Sequence, residues 1–309
     1  MLHKSIYCYI LLHTAIYSYI QIYSVIYCYI MLHNVLYSNI MLYTAKYWYI
    51  VLHTDTYCYR LIFITIFSYI LLHNVIYCYI LLYTATYCYI LYILLYTTIF
   101  CYILFNTDTY SCILLPTAIY CYILLYNATY WYIPLDTAIY CYILLYTAIY
   151  CYILQHNAFY IYILLYFVIY CYILLYTATY FYILLYISIF GYILLYTATY
   201  CYILLHTATY CYILLYSSIF FFTLSYTVTY CYILLHTAIY NYVLIYTVTY
   251  CHKLLNTAIY NLFLLYTVIY CYILLYTATF CYIMLNTAIY CYILLHTSTY
   301  CFIKLYSAK

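Results

Sequence analysis

Thr137-Ala138-Ile139-Tyr140-Cys141-Tyr142-Ile143-Leu144-Leu145-Tyr146, followed at once by Thr147-Ala148-Ile149-Tyr150-Cys151-Tyr152-Ile153-Leu154, is the stretch from which the rest of this 309-residue chain can be read. The same decapeptide recurs from one end to the other. Cys121, Cys141, Cys151, Cys171, Cys201, Cys211, Cys231, Cys271, Cys281, Cys291 and Cys301 all fall in one of its slots. From Leu94 to the C-terminus the register is unbroken, and Met1 to Ile90 keeps it too, with a slip of three residues at 91–93 between them. Ten residues is not the period of the common helical, propeller or leucine-rich arrays. No linker or change of composition interrupts it, so we expect a single low-complexity tandem decapeptide array over 1–309, with no separate domains.

An even period lets a strand keep its alternation through every copy. Strict alternation places Thr, Ile, Cys, Ile and Leu on one side and Ala, Tyr, Tyr, Leu and Tyr on the other, both apolar. A helix of ten residues makes two full turns and about 280 degrees more, so no slot would stay on one face. Tyr, Ile, Thr and Phe also suit a pleated surface. The expected fold is therefore all-β, solenoid-like or built of stacked strands. The alternative is an all-α bundle of multi-span membrane helices, because almost any window of about 20 residues is apolar enough to span a bilayer. Polar loops are missing, and the 66 Tyr do not gather in interfacial belts as an evolved multi-pass protein would arrange them.

Composition excludes several classes. Hydrophobic residues make up 74% and charged residues 3%, against roughly half and about 25% in ordinary globules, so a soluble globular domain has too little to cover its surface. Disorder of the usual polar kind needs the opposite composition. The six cations are scattered singly, so there is no electrostatic groove for phosphates and we expect no nucleic-acid partner. Self-association or aggregation is the expected behaviour, since strands with no gatekeeper charges stack. The other expected partner is the lipid bilayer, with a membrane location if the chain is expressed. Met1-Leu2-His3-Lys4 and its apolar sequel resemble a signal peptide's opening, yet the repeat continues without a cleavage site, and we read it as the array itself.

The genetic code accounts for the number ten. ACT GCT ATA TAC TGC TAT ATA CTG CTA TAT spells the decapeptide and is three copies of ACTGCTATAT. Ten is not divisible by three, so all three forward frames encode the same peptide, and a one-nucleotide phase change moves the register by three residues, as at 91–93. His3, His13, His33, His53, His73, His156, His206, His236 and His296 replace Tyr by one base, Asp136 and Asn256 fill the same slot, and Lys46, Arg60 and Lys253 replace Ile in the same way. Asp55 and Asp108 replace Ala; Trp48, Trp131 and Gly191 replace Cys. The expected function is accordingly none of the evolved biochemical kind: the translation of a decanucleotide minisatellite. A multi-pass membrane protein and a Tyr- and Cys-rich secreted structural material, cross-linked by oxidation, are the alternatives.

Candidate chemistry is thin. With no Glu and three separated Asp there is no carboxylate pair. One glycine makes no phosphate loop, and C-x-x-C spacing is absent. His53/Cys58, His73/Cys78, His206/Cys211 and His296/Cys301 repeat a spacing of five that on a strand puts the two side chains on opposite faces. Stacked coils would align His13, His33, His53 and His73. Asn127-Ala128-Thr129 is a glycosylation sequon for a lumenal chain. Pro116 and Pro134 should break strands or kink helices, and Trp131 has no partner that the sequence names. We expect no enzyme: no catalytic, cofactor-binding or metal-binding residues, no cofactor and no small-molecule substrate.

Overall fold

The computed structural model describes residues 4–85 and 92–308, and they are strand almost throughout: β1, Ser5–Ala85, and β2, Tyr92–Ala308, pair in parallel. Two compact units are present, Met1–Ala158 and Phe159–Lys309, each a parallel β-solenoid. Among the described residues there is no helix, and none long and apolar enough to cross a membrane. The multi-span helical alternative thus finds no support. The reason is the one the repeat implies: only in an extended chain do identical slots return to the same face.

Strict alternation is corrected in one respect. Along Cys271–Phe280 the buried residues are Cys271, Ile273, Leu275 and Ala278, while Tyr276 and Thr277, then Thr279 and Phe280, turn outward in consecutive pairs. Cys-Tyr-Ile-Leu-Leu is a short flat side, and the two outward pairs around Ala are the bend. Ala therefore faces inward and Thr outward, the reverse of the alternation read from the sequence. The bend uses no positive φ and no cis bond among the described residues, which is how a chain with one Gly and two Pro turns at all. Pro116 and Pro134 lie within uninterrupted β2, not at breaks. Each removes one ladder donor, and the neighbouring rungs hold the coil.

The structural period is twenty, two decapeptides per coil. In the second unit Tyr230, Tyr250, Tyr270 and Tyr290 stack with ring centroids 4.8, 4.8 and 5.0 Å apart. In the first unit Tyr69 pairs with Tyr92 and Cys78 with Cys101, offsets of 23. The slip at 91–93 is therefore absorbed within one coil and the register is regained beyond it; Leu91 itself lies outside the described residues. Stacking also covers surface that the side chains could not cover individually. Tyr17 on the first coil is 75% exposed and Tyr37, stacked on both sides, 38%. Each such aromatic pair adds about 0.5–1.5 kcal/mol beyond its buried area.

Candidate functional site

The outward slots form ladders that contain most of the residues singled out above. His13, His33 and His53 do stack, at 5.2 and 4.5 Å, His73 follows in the same column at 4.9 Å from His53 but tilted by 40°, and Tyr96 continues it at 4.5 Å from His73, tilted by 43°. Among the described residues no group of three or more His, Cys, Asp or Glu is placed to hold a metal. His53, His73 and His206 face outward while Cys58, Cys78 and Cys211 are buried, so the spacing of five separates the side chains as strand geometry requires. His296 and Cys301 are both exposed on the last described coil. Asn127 of the sequon is exposed at a bend. Asp136 and His156 lie 3.8 Å apart on the surface, a pair worth little in water. The side chain of Asp108 lies outside the described residues.

The inward Cys slot gives two unbroken thiol ladders of five rungs. Cys58, Cys78, Cys101, Cys121 and Cys141 run through the first unit, with neighbours hydrogen-bonded; Cys211, Cys231, Cys251, Cys271 and Cys291 run through the second. All of these cysteines are free. In the first ladder, Cys78 is lowered by hydrogen bonds from Cys101 and Cys58, and Cys121, flanked by Cys101 and Cys141, is lowered to about 5. Burial lifts Cys58, and the hydrogen bond to Cys121 lifts Cys101. In the second ladder, Cys231, Cys251, Cys271 and Cys291 are each raised by the bond to the rung before, and burial adds to it.

Polar substitutions in inward slots meet one another across the core. Ser38 Oγ donates to Asp55 Oδ2 at 2.7 Å, Arg60 Nη2 donates to Ser38 Oγ at 2.8 Å and lies 3.8 Å from Asp55 Oδ2, and Arg60 Nη1 donates to the Tyr59 carbonyl at 3.1 Å. In the second unit Lys253 Nζ and Asn241 Nδ2 both donate to Asn261 Oδ1, at 3.0 and 3.2 Å, and Asn261 Nδ2 donates to Cys281 Sγ at 3.4 Å. Lys253 also sits 4.3 Å from the Phe263 ring centroid. Trp48 Nε1 donates to Thr65 Oγ1 at 2.9 Å. Trp131, for which the sequence offered no partner, packs edge-on against Phe105 at 5.1 Å.

Burial holds the Lys253 amine down at about 7, against 10.5 in the unfolded chain. A base whose folded value is lowered costs stability at every pH below the unfolded value, and the cost disappears above it. Lys253→Ile, which restores the repeat, is therefore expected to raise stability by about 3 kcal/mol near pH 7 and by much less at pH 10.5 and above. Urea unfolding at both pH values measures the difference.

Grooves follow the ladders. In the first unit one of about 510 Å³ runs between the columns headed by Tyr7 and Tyr9, floored by Cys8, Cys28 and Trp48. Its counterpart in the second unit, about 470 Å³, lies between Tyr260 and Tyr282 over Asn261 and Cys281. The missed feature is the convergence of inward polar residues. Its signal was present: Asn241 and Asn261 share a slot twenty apart, yet the coil length that makes twenty meaningful is not written in a period of ten. No protein-family model, no curated protein and no solved structure matches this chain.

Proposed function

We propose that this chain is a structural repeat protein without catalytic activity, encoded by an expanded ten-nucleotide unit, whose working property is the stacking of coil upon coil. The observation that carries this reading is the continuity of the ladders: substituted residues such as His13, His33, His53 and His73 occupy stacking positions in place of building a site. The outer surface is Tyr, Ile and Phe with few charges. Such a surface suits self-association more than solvent. We take other copies of the chain as its partner, and neither nucleic acid nor a small-molecule substrate. The same surface favours a second reading, attachment to a lipid bilayer, which alkaline carbonate extraction of a tagged chain tests: release into the soluble fraction removes it.

Two measurements decide the main reading. The coding DNA is expected to show a ten-base period with substitutions spread over all three codon positions; an aperiodic gene, or changes concentrated at third positions, overturns the origin. Oriented, dried protein is expected to diffract at about 4.8 Å along the solenoid axis, matching the 4.8 Å ring spacing. A helical pattern would end the structural half of the proposal.

A further inference from the structure

The first unit carries an aromatic groove that the stacking of coils creates and leaves open. Its walls are two ladders. The column headed by Tyr7 runs to Phe67 with ring centroids 5.2, 5.0 and 4.8 Å apart, and the column headed by Tyr9 runs to Tyr69 at 5.1, 5.1 and 4.5 Å. Between them the floor is the inward slot, Cys8, Cys28 and Trp48. Trp48 is buried, and its indole N–H already donates to Thr65. The space is about 510 Å³, within the range of sites that enclose small organic molecules.

Shape and charge together say what such a groove takes. Alternate residues of a strand lie about 6.6–6.8 Å apart, and this sets the separation of the two columns at the backbone. A further strand packed through its side chains needs about 10 Å, so another chain is too thick, whereas one flat ring system standing parallel to the walls fits. Lined over successive rungs, the groove suits an elongated molecule laid along the solenoid axis. Rings stacked face to face along that axis present their edges sideways, and the edge is the positive rim of an aromatic ring. The walls therefore meet the negative face of a conjugated ligand in the edge-to-face arrangement that aromatic pairs prefer. No charged side chain lines the groove. Between Tyr7 and Tyr69 the cations are Lys46 and Arg60 and the one acid is Asp55. Arg60 and Asp55 are buried against each other, so the exposed charge beside the groove is Lys46, which forms an outward pair with the wall residue Tyr47.

We propose that this groove is a binding site for a flat, elongated, conjugated organic anion, held with its faces against the ring edges of the two columns and its charge toward Lys46. The ligand is bound and released unchanged; no bond is made or broken. The site needs the coils to stack but needs no second copy of the chain.

The test is a titration of the full chain at low salt with Congo red, a flat, elongated disulfonate, followed by tryptophan emission. Trp48 floors the groove, whereas Trp131 packs on Phe105, and the emission is expected to fall saturably. Replacing Tyr27 and Tyr29 together by Thr opens both walls at one rung and is expected to weaken binding about tenfold. The same change at Tyr37 and Tyr57, which stack in a different column, is expected to leave the affinity unchanged. Lys46→Ile restores the repeat residue and is expected to weaken binding about threefold. Thioflavin T, a flat dye of the opposite charge, is expected to bind the wild type more weakly than Congo red. Far-ultraviolet circular dichroism shows which variants keep their strands; if the Tyr27 and Tyr29 variant does not, Lys46→Ile and the comparison of dyes decide. Unchanged affinity in a folded Tyr27 and Tyr29 variant overturns the proposal, as does an equal loss in the Tyr37 and Tyr57 variant. Unchanged affinity in Lys46→Ile, or thioflavin T bound as tightly as Congo red, overturns it as well.

Discussion

Raising the pH from 8 to 10 is expected to unfold this protein in a transition far steeper than the titration of any one group. The thiols of Cys58, Cys101, Cys141, Cys201, Cys231 and Cys251 are held well above the ordinary value of 9.0, by burial and by hydrogen bonds along the ladders. In the unfolded chain they ionise near 9; in the folded chain they stay protonated. A group with a raised folded value gives its full stability below the unfolded value and loses it as the pH climbs beyond. Each such thiol then removes about 1.4 kcal/mol per pH unit. The six together remove about 8 kcal/mol by pH 10, which is comparable with the whole stability of an ordinary domain. Cys78 and Cys121, with lowered values, keep their contribution at high pH, and Lys253 works in the opposite direction, but these are few against many. Circular dichroism against pH, with urea midpoints at pH 7, 8, 9 and 10, measures the slope. Replacing Cys231 and Cys251 by Ala is expected to flatten it by about 2.8 kcal/mol per pH unit. A chain equally stable at pH 7 and pH 10 would contradict the expected packing of the thiols.

The sequence carried the strand, the repeat and the alignment of His13 with His33, because all three depend only on an even period and a constant register. It did not carry the coil. A chain that alternated strictly would be flat, and what bends it is a pair of outward residues on each side of Ala, such as Tyr276-Thr277 and Thr279-Phe280 around Ala278. Nothing in those residue types announces a turn in the way Gly or Asn-Gly does, so the inward position of Ala278 was assigned to the wrong face. The buried clusters were hidden for a related reason. Lys253 and Asn261 are eight apart in sequence and bonded in space, a relation that appears only after the two halves of a coil face each other. Read as codons, Ser38, Asp55 and Arg60 are scattered departures from a repeat. Their side chains are nevertheless bonded to one another, whereas the hydroxyls of Thr98, Ser111, Ser188, Ser218 and Thr223 are buried without a hydrogen-bond partner. On the proposed ten-nucleotide origin, drift chooses which residues appear, and packing determines what each one costs.

Asp55→Ala is expected to be among the most damaging single changes in the first unit, although Ala is what the repeat places there. Arg60 is 0% exposed and Asp55 2%; removing the carboxylate leaves a buried guanidinium with only the Ser38 hydroxyl and the Tyr59 carbonyl. Breaking a buried pair from one side costs about 3–5 kcal/mol. The pair as a whole is a different matter. Burial raises the Asp55 carboxyl above its usual 3.8 in spite of the hydrogen bond from Ser38 and the charge of Arg60, so the neighbours do not fully repay the desolvation of this anion. The folded state then holds the proton more readily than the unfolded one, and the stability linked to this group is present below pH 3.8 and is lost as the pH rises through the raised value. It follows that Asp55→Ala combined with Arg60→Ile, both reversions to the repeat, should match or exceed the parent, by up to about 4 kcal/mol. Urea midpoints of the parent, the two single variants and the double variant make the cycle. A single Asp55→Ala within about 1 kcal/mol of the parent would mean that the guanidinium is not held by this carboxylate. A double variant as weak as the single one would mean that the cluster is worth more to the coil than the alanine and isoleucine it displaced.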